Sequence, residues 1–168
     1  MSIVLIGPPA AGKTRGGRRL ARRLDVEFVD TDRVIVSRHG PIPDVFASHG
    51  ESGFRAIERE VVAEALDGGG VVSLGGGAVM DPDTQRLLPP HTVIQLVASP
   101  AAIERRIRGS TKRPLIRSID DWQRLYDARR ETYERLATVT FDTSHGTMAA
   151  VVADIEQWVR AHREEDER

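Results

Sequence analysis

The sequence predicts an α/β protein, a three-layer α/β/α sandwich with a five-stranded parallel sheet. Two observations lead there. Short apolar runs dominated by Val and Ile alternate with amphipathic stretches, the pattern of strands buried on both faces by crossover helices. No internal repeat, low-complexity tract or long linker interrupts that alternation, so one domain spanning residues 1–168 is expected.

The expected strands are residues 3–6, 27–29, 71–74, 92–97 and 139–141. The first helix is expected from Lys13 to about Leu24. Arg15, Arg18, Arg19 and Arg22 share its polar face, opposite Leu20, Ala21 and Leu24. A second runs from about Gly53 to Leu66, burying Phe54, Ile57, Val61, Ala65 and Leu66. Ser99 caps a third, with Pro100 at its first position. Ser118 or Asp120 caps a fourth that ends near Ala137. The last runs from about Met148 to Glu164 with Val151, Val152, Ile155 and Val159 inward, and residues 163–168 read as a frayed end. Residues 75–77, all glycine, and residues 109–117 fit no regular element.

Bulk properties exclude several classes. The chain has 168 residues and a formal net charge of -1, so nothing draws it to nucleic acid or an anionic membrane. It has no cysteine, which excludes disulfide scaffolds and thiolate metal sites. No apolar run approaches the roughly 20 residues of a membrane span. The N-terminus passes directly into a strand, leaving no charged signal-peptide start, so a cytoplasmic protein is expected. Nothing marks an exposed apolar patch, and a monomer is expected. His39, His49, His91, His145 and His162 lack metal-ligand spacing and read as surface or loop residues. Trp122 and Tyr126 read as core.

Chemistry enters at Gly7-Pro8-Pro9-Ala10-Ala11-Gly12-Lys13-Thr14, which fits G-x-x-x-x-G-K-[ST] between a strand and a helix. A tight loop offers convergent backbone N–H groups to a phosphate chain, and the helix N-terminus adds about half a positive charge. Lys13 can reach the β- and γ-phosphates, and the Thr14 hydroxyl can ligate Mg²⁺. Pro8 and Pro9 each remove a backbone donor. Ala10 stands where glycine is common, so the loop is expected to keep it at negative φ. Gly16 and Gly17 weaken the helix start by about 1 kcal/mol each.

The metal-organising Asp usual after a second apolar strand is missing, because residues 71–74 run into glycine. Instead Asp30-Thr31-Asp32 follows the 27–29 strand, at the sheet end where ligands collect. One carboxylate can serve Mg²⁺ and the other can take a proton from a hydroxyl; capping of the next helix is the plainer role. Arg105, Arg106, Arg108, Lys112, Arg113 and Arg117 fall in one acid-free stretch, either a solvated face or a segment that meets phosphates. Arg129 lies on the apolar stripe of Trp122, Leu125, Tyr126, Tyr133 and Leu136, where a charge needs a partner. Arg55 sits among Glu51, Glu58 and Arg59 at helical spacing, which also fits a surface ion-pair network.

Together these motifs resemble the shikimate kinases, from about Met1 to Tyr133 and more weakly beyond. The resemblance rests on the phosphate loop, Asp30-Thr31-Asp32, Gly50-Glu51-Ser52-Gly53-Phe54-Arg55 and Ser73-Leu74-Gly75-Gly76-Gly77-Ala78. Arg113-Pro114-Leu115 and Arg129 with Tyr133 four residues on add to it. It implies a phosphate-loop, nucleoside monophosphate kinase-like fold, ATP and shikimate as substrates, and Mg²⁺. It also implies a substrate-binding region at about 31–60 and a lid at about 109–117. The family pattern makes Lys13, Asp32 and Arg113 catalytic, with Asp32 the base. Ala10, Ala11, Gly12, Lys13, Thr14, Arg15, Arg106 and Arg113 would hold the nucleotide. Thr14 and Asp30 would serve the metal, Asp30 through water. Arg55 and Arg129 would hold the substrate carboxylate, Gly75, Gly76 and Gly77 would offer amides to a hydroxyl, and Phe46 and Phe54 would wall the ring.

One stretch departs from the family. An Arg and a Pro usually flank the adenine shortly after the last strand, and here Ser144-His145-Gly146-Thr147-Met148 stands instead. Two other readings stay open from sequence: a kinase of the same architecture for gluconate or a nucleoside monophosphate, and a non-catalytic ATP-binding switch.

Overall fold

The computed structural model describes residues 1–109 and 117–166. Its elements run β1 (Ser2–Ile6), α1 (Lys13–Leu24), β2 (Phe28–Asp30), α2 (Thr31–His39), α3 (Ile42–Gly68) and β3 (Gly70–Ser73). A 3₁₀ turn (Ala78–Met80), α4 (Pro82–Leu87), β4 (Thr92–Val97), α5 (Pro100–Arg108), α6 (Ile119–Leu136), β5 (Val139–Asp142) and α7 (Met148–Asp166) follow. The strands form one parallel sheet in the order β2-β3-β1-β4-β5. All five residues of β1 are buried, as its central place requires.

Alternate residues of β1 feed two cores. Ile3 and Leu5 pack with Leu20 and Ala21 of α1 and Val151, Val152, Ile155 and Val159 of α7. Val4 and Ile6 pack on the other face with Val62, Ala65 and Leu66 of α3 and Tyr133 of α6. The period-2 pleat thus fills three layers. Gly17 explains the glycine pair early in α1: a Cβ there would lie 2.6 Å from the Phe28 ring and 2.9 Å from Leu5. The helix gives up about 1 kcal/mol of propensity to sit close on the sheet.

The structure corrects several expectations. The helix expected from about Gly53 is the second of two helical pieces in α3; the first, from Ile42, was not expected, and Gly50 (φ 69, ψ 179) breaks the run between them. The helix expected next after the acidic pair is α2, which Asp30 caps by accepting the Arg33 amide; α4 was not expected, and Asp81 caps it by accepting the Thr84 amide. Ser118, not Asp120, caps α6. The helix α7 continues through Asp166, where a frayed end was expected from 163; Arg, Glu and Ala are good helix formers. His91 is no idle loop residue, since its Nδ1 accepts the Ser2 amide at 3.0 Å. Trp122 is 1% exposed, whereas Tyr126 is only partly buried. Among the described residues, no helix is long and apolar enough to cross a membrane.

Candidate active site

The turn after β1 builds the phosphate loop. Gly7 (φ 139), Ala10 (φ 67) and Gly12 (φ 100) all hold positive φ. The negative φ expected for Ala10 is therefore wrong. Its methyl group packs in a buried cluster with Ala98, Ala102, Ile103 and Trp122, and this contact offsets part of the left-handed strain. Pro8 and Pro9 contribute their carbonyls. Pro8 accepts from the Ala11 amide at 3.3 Å and the Lys13 ammonium at 3.0 Å, and Pro9 accepts from the Trp122 indole at 2.8 Å. Lys13 also donates to the Gly7 carbonyl at 2.7 Å, so the cation spans the loop. No side chain caps α1, leaving its first-turn amides to an anion. Arg15 is exposed on the first turn.

The end of β5 braces the loop from outside. Arg106 donates to the Ala10 carbonyl at 2.8 Å and the Thr143 carbonyl at 2.5 Å, and Thr143 donates its hydroxyl to the Ala11 carbonyl at 2.7 Å. In the stretch that departs from the family, Ser144 donates to Asp142 through its amide at 2.8 Å and accepts the Ser99 amide at 2.6 Å.

The acidic pair divides between two surroundings. Asp30 accepts the Thr14 hydroxyl at 2.5 Å and caps α2 through the Arg33 amide at 3.2 Å. The capping and functional readings therefore fall on one residue. A hydroxyl and a carboxylate in contact are hard oxygen donors. They suit Mg²⁺, which binds through one or two protein ligands together with waters and phosphates. Among the described residues no group of three His, Cys, Asp or Glu gathers as a protein-only metal cage. Asp32 faces the residue 75–77 turn, with its Oδ1 2.5 Å from where a Gly75 Cβ would stand. Burial pushes its carboxyl above the ordinary range, Asp30 adds to this, and Lys13 and Arg55 oppose it.

The glycine turn gathers the rest. Thr31 ties it to β3, donating to the Ser73 carbonyl at 3.3 Å and accepting the Gly75 amide at 3.2 Å. A Cβ at Gly77 would lie 2.7 Å from an Arg55 nitrogen and 3.1 Å from one of Arg129. At Gly76 it would lie 3.2 Å from Arg129 and 3.4 Å from Pro9. A side chain at Gly77 would push both guanidiniums away from the turn. Arg55 pairs with Glu58 at 2.5 Å, but Glu58 is 2% exposed, so the pair is an interior one and not a surface network. Burial pushes the Glu58 carboxyl up and Arg55 pulls it back. The Phe46 and Phe54 rings stack at 4.4 Å, and the Arg55 guanidinium stands 5.3 Å from the Phe54 centroid.

The fold thus gathers Lys13, Thr14, Asp30, Asp32, Arg55, Gly75, Gly76, Gly77 and Arg129 at the carboxyl ends of β1, β2 and β3, where open α/β sheets hold ligands. Arg113 lies outside the described residues. Sequence reasoning missed the polar roles of Trp122, Tyr133 and Glu58. A signal existed for the first two, since both share the α6 stripe with Arg129.

Comparison with known proteins agrees with this geometry. The family model described as shikimate kinase matches residues 9–160. A protein named shikimate kinase from Mycobacterium avium (strain 104) is 46% identical over 154 residues, covering 89% of this chain and 88% of the relative. One of the same name from Corynebacterium efficiens is 41% identical over 157 residues, covering 91% and 93%. The solved structure of shikimate kinase from Acinetobacter baumannii in complex with shikimate superposes with a TM-score of 0.88 at 30% identity, covering 96% of this chain and 93% of that one. With one family spanning the phosphate loop, the acidic pair, the glycine turn and the α6 arginine, the chain belongs to the shikimate kinase family.

Proposed function

We propose that this chain is a shikimate kinase, transferring the γ-phosphoryl group of ATP to the 3-hydroxyl of shikimate on the route to chorismate and the aromatic amino acids. One observation carries the reading: a partly buried carboxylate, Asp32, and two guanidiniums, Arg55 and Arg129, converge on one glycine turn beside the phosphate loop. A small ligand bearing both hydroxyls and a carboxylate satisfies all three, since planar guanidiniums grip carboxylates in two-pronged fashion. Gluconate shares hydroxyls and a carboxylate but not a ring for Phe46 and Phe54. A nucleoside monophosphate lacks the carboxylate.

In this reading the amides of Ala10, Ala11, Gly12, Lys13 and Thr14 cradle the phosphates, with Arg15 and Arg106 at the nucleotide's flank. Thr14, and Asp30 through water, would hold Mg²⁺, which when bound would supply positive charge to the phosphates. Asp32 orients the acceptor hydroxyl and takes its proton as the O–P bond forms. Its raised pKa strengthens it as a base. Lys13 and Arg113 supply positive charge to the transferring group, the latter from the lid at about 109–117, which excludes water. The protein acts as a cytoplasmic monomer.

A coupled assay of ADP release with shikimate, gluconate and nucleoside monophosphates tests this. Turnover dependent on shikimate is expected; dependence on another acceptor reassigns the substrate, and none with any acceptor favours an ATP-binding switch. Arg113→Ala is expected to lower turnover by about 10³. A near-normal rate would remove the lid assignment.

A further inference from the structure

Tyr133 is entirely buried at 0% exposure, with its ring in the layer between the sheet and α6. A phenol in an apolar layer needs a partner for its hydroxyl. Here that hydroxyl donates to the Gly76 carbonyl at 2.5 Å. Arg129 stands one helical turn back on the same face of α6. Arg129 nitrogens in turn lie against both Gly76 and Gly77. The two arginines of the turn thus differ. Arg55 contacts the Glu58 carboxylate directly, whereas among the described residues no carboxylate forms a contact ion pair with Arg129, which Glu58 attracts only from farther off.

We propose that Tyr133 is a positioning residue for the acceptor: its hydroxyl fixes the Gly76 carbonyl, and with it the glycine turn on which the Arg129 guanidinium lies, presetting the arginine to meet the substrate carboxylate. The inference rests on the shikimate kinase reading and assigns Tyr133 no contact with substrate. A guanidinium already held gives up little rotamer freedom on binding. The hydroxyl therefore acts on carboxylate recognition and not on phosphoryl transfer.

Tyr133→Phe keeps the ring and removes the oxygen. In steady-state kinetics the KM for shikimate is expected to rise about tenfold, with kcat and the KM for ATP within about twofold of wild type. For the neutral methyl ester of shikimate the ratio of variant to wild-type KM is expected to shrink toward one, because no carboxylate is left to misplace. A rise of equal size for the ester, or in the KM for ATP, marks a merely structural role and overturns the proposal, as does an unchanged shikimate KM. A double-mutant cycle adds a second test. In an Arg129→Ala background, Tyr133→Phe is expected to have no further effect on shikimate affinity, and additivity overturns the coupling. Absence of shikimate turnover in the wild-type protein removes the underlying reading and the proposal with it. An active wild type with an indifferent Tyr133→Phe removes the proposal alone.

Discussion

Asp32 is partly buried against the glycine turn and beside a second carboxylate, two conditions that disfavour its charge. The consequence for stability has a definite sign. Below the ordinary aspartate value of 3.8 both folded and unfolded chains keep the proton. Between that value and the raised one only the unfolded chain releases it, so stability falls as pH rises through this window, and the loss persists at neutral pH. Asp32→Asn removes the penalty. Its Tm is expected to exceed that of the wild type at pH 7 and to converge with it near pH 3, as calorimetry at several pH values can check. ATP binding is expected to survive while turnover falls by about 10²–10⁴, the usual worth of a general base. Retained transfer would remove Asp32 as the base. The acid limb of the wild-type kcat/KM profile should likewise lie above the ordinary aspartate range. Asp32 could be picked out in the sequence because it follows a strand by a fixed spacing. Ala10 could not be read correctly, because the Trp122 cluster that receives its methyl group lies far along the chain.

Helix α6 joins parts of the site that are distant in sequence. Trp122 holds the phosphate loop through the Pro9 carbonyl, Arg129 lies on the glycine turn, and Tyr133 holds Gly76. Trp122 and Tyr126 stack at 5.2 Å, and Tyr126 and Tyr133 at 6.5 Å, so the face acts as one aromatic ridge. The apolar spacing of that ridge was legible, but the carbonyls its polar tips would reach were not, since those come from other elements. Trp122→Phe is expected to raise the KM for ATP about three- to tenfold and leave the KM for shikimate unchanged. Equal effects on both substrates would mean that the ridge moves as a whole. The glycine turn offers a contrasting test. Gly75→Ala brings a methyl group within 2.5 Å of Asp32 Oδ1, and something must shift. A displaced base is expected to cost about 10²-fold in kcat with ATP binding intact, measurable by titrating a fluorescent ATP analogue. The short helices α2 and α4 were less legible than α6. Each spans few residues, too few for a hydrophobic period to show, and each depends on one capping Asp.

At the scale of the molecule, the strand order β2-β3-β1-β4-β5 sets the phosphate loop, the acidic pair and the glycine turn on three adjacent strands. A ligand reaching across them ties the α1 side of the sheet to the α3 and α6 side, so binding and global stability are linked. At a nucleotide concentration 100 times Kd that linkage amounts to about 2.7 kcal/mol, or a Tm rise of roughly 5–10 °C for a chain of this size. On the proposed reading, in which Thr14 and Asp30 hold magnesium, the metal is part of the effect. The shift with ATP is therefore expected to shrink when the metal is chelated. Thr14→Val, which removes the hydroxyl and keeps the shape, is expected to show the small shift with or without metal. Differential scanning fluorimetry of both proteins, with ATP and either Mg²⁺ or a chelator, gives the four melting temperatures needed. An equal wild-type shift in the two conditions would detach magnesium from this site. A full magnesium-dependent shift in Thr14→Val would move the ion onto other oxygens.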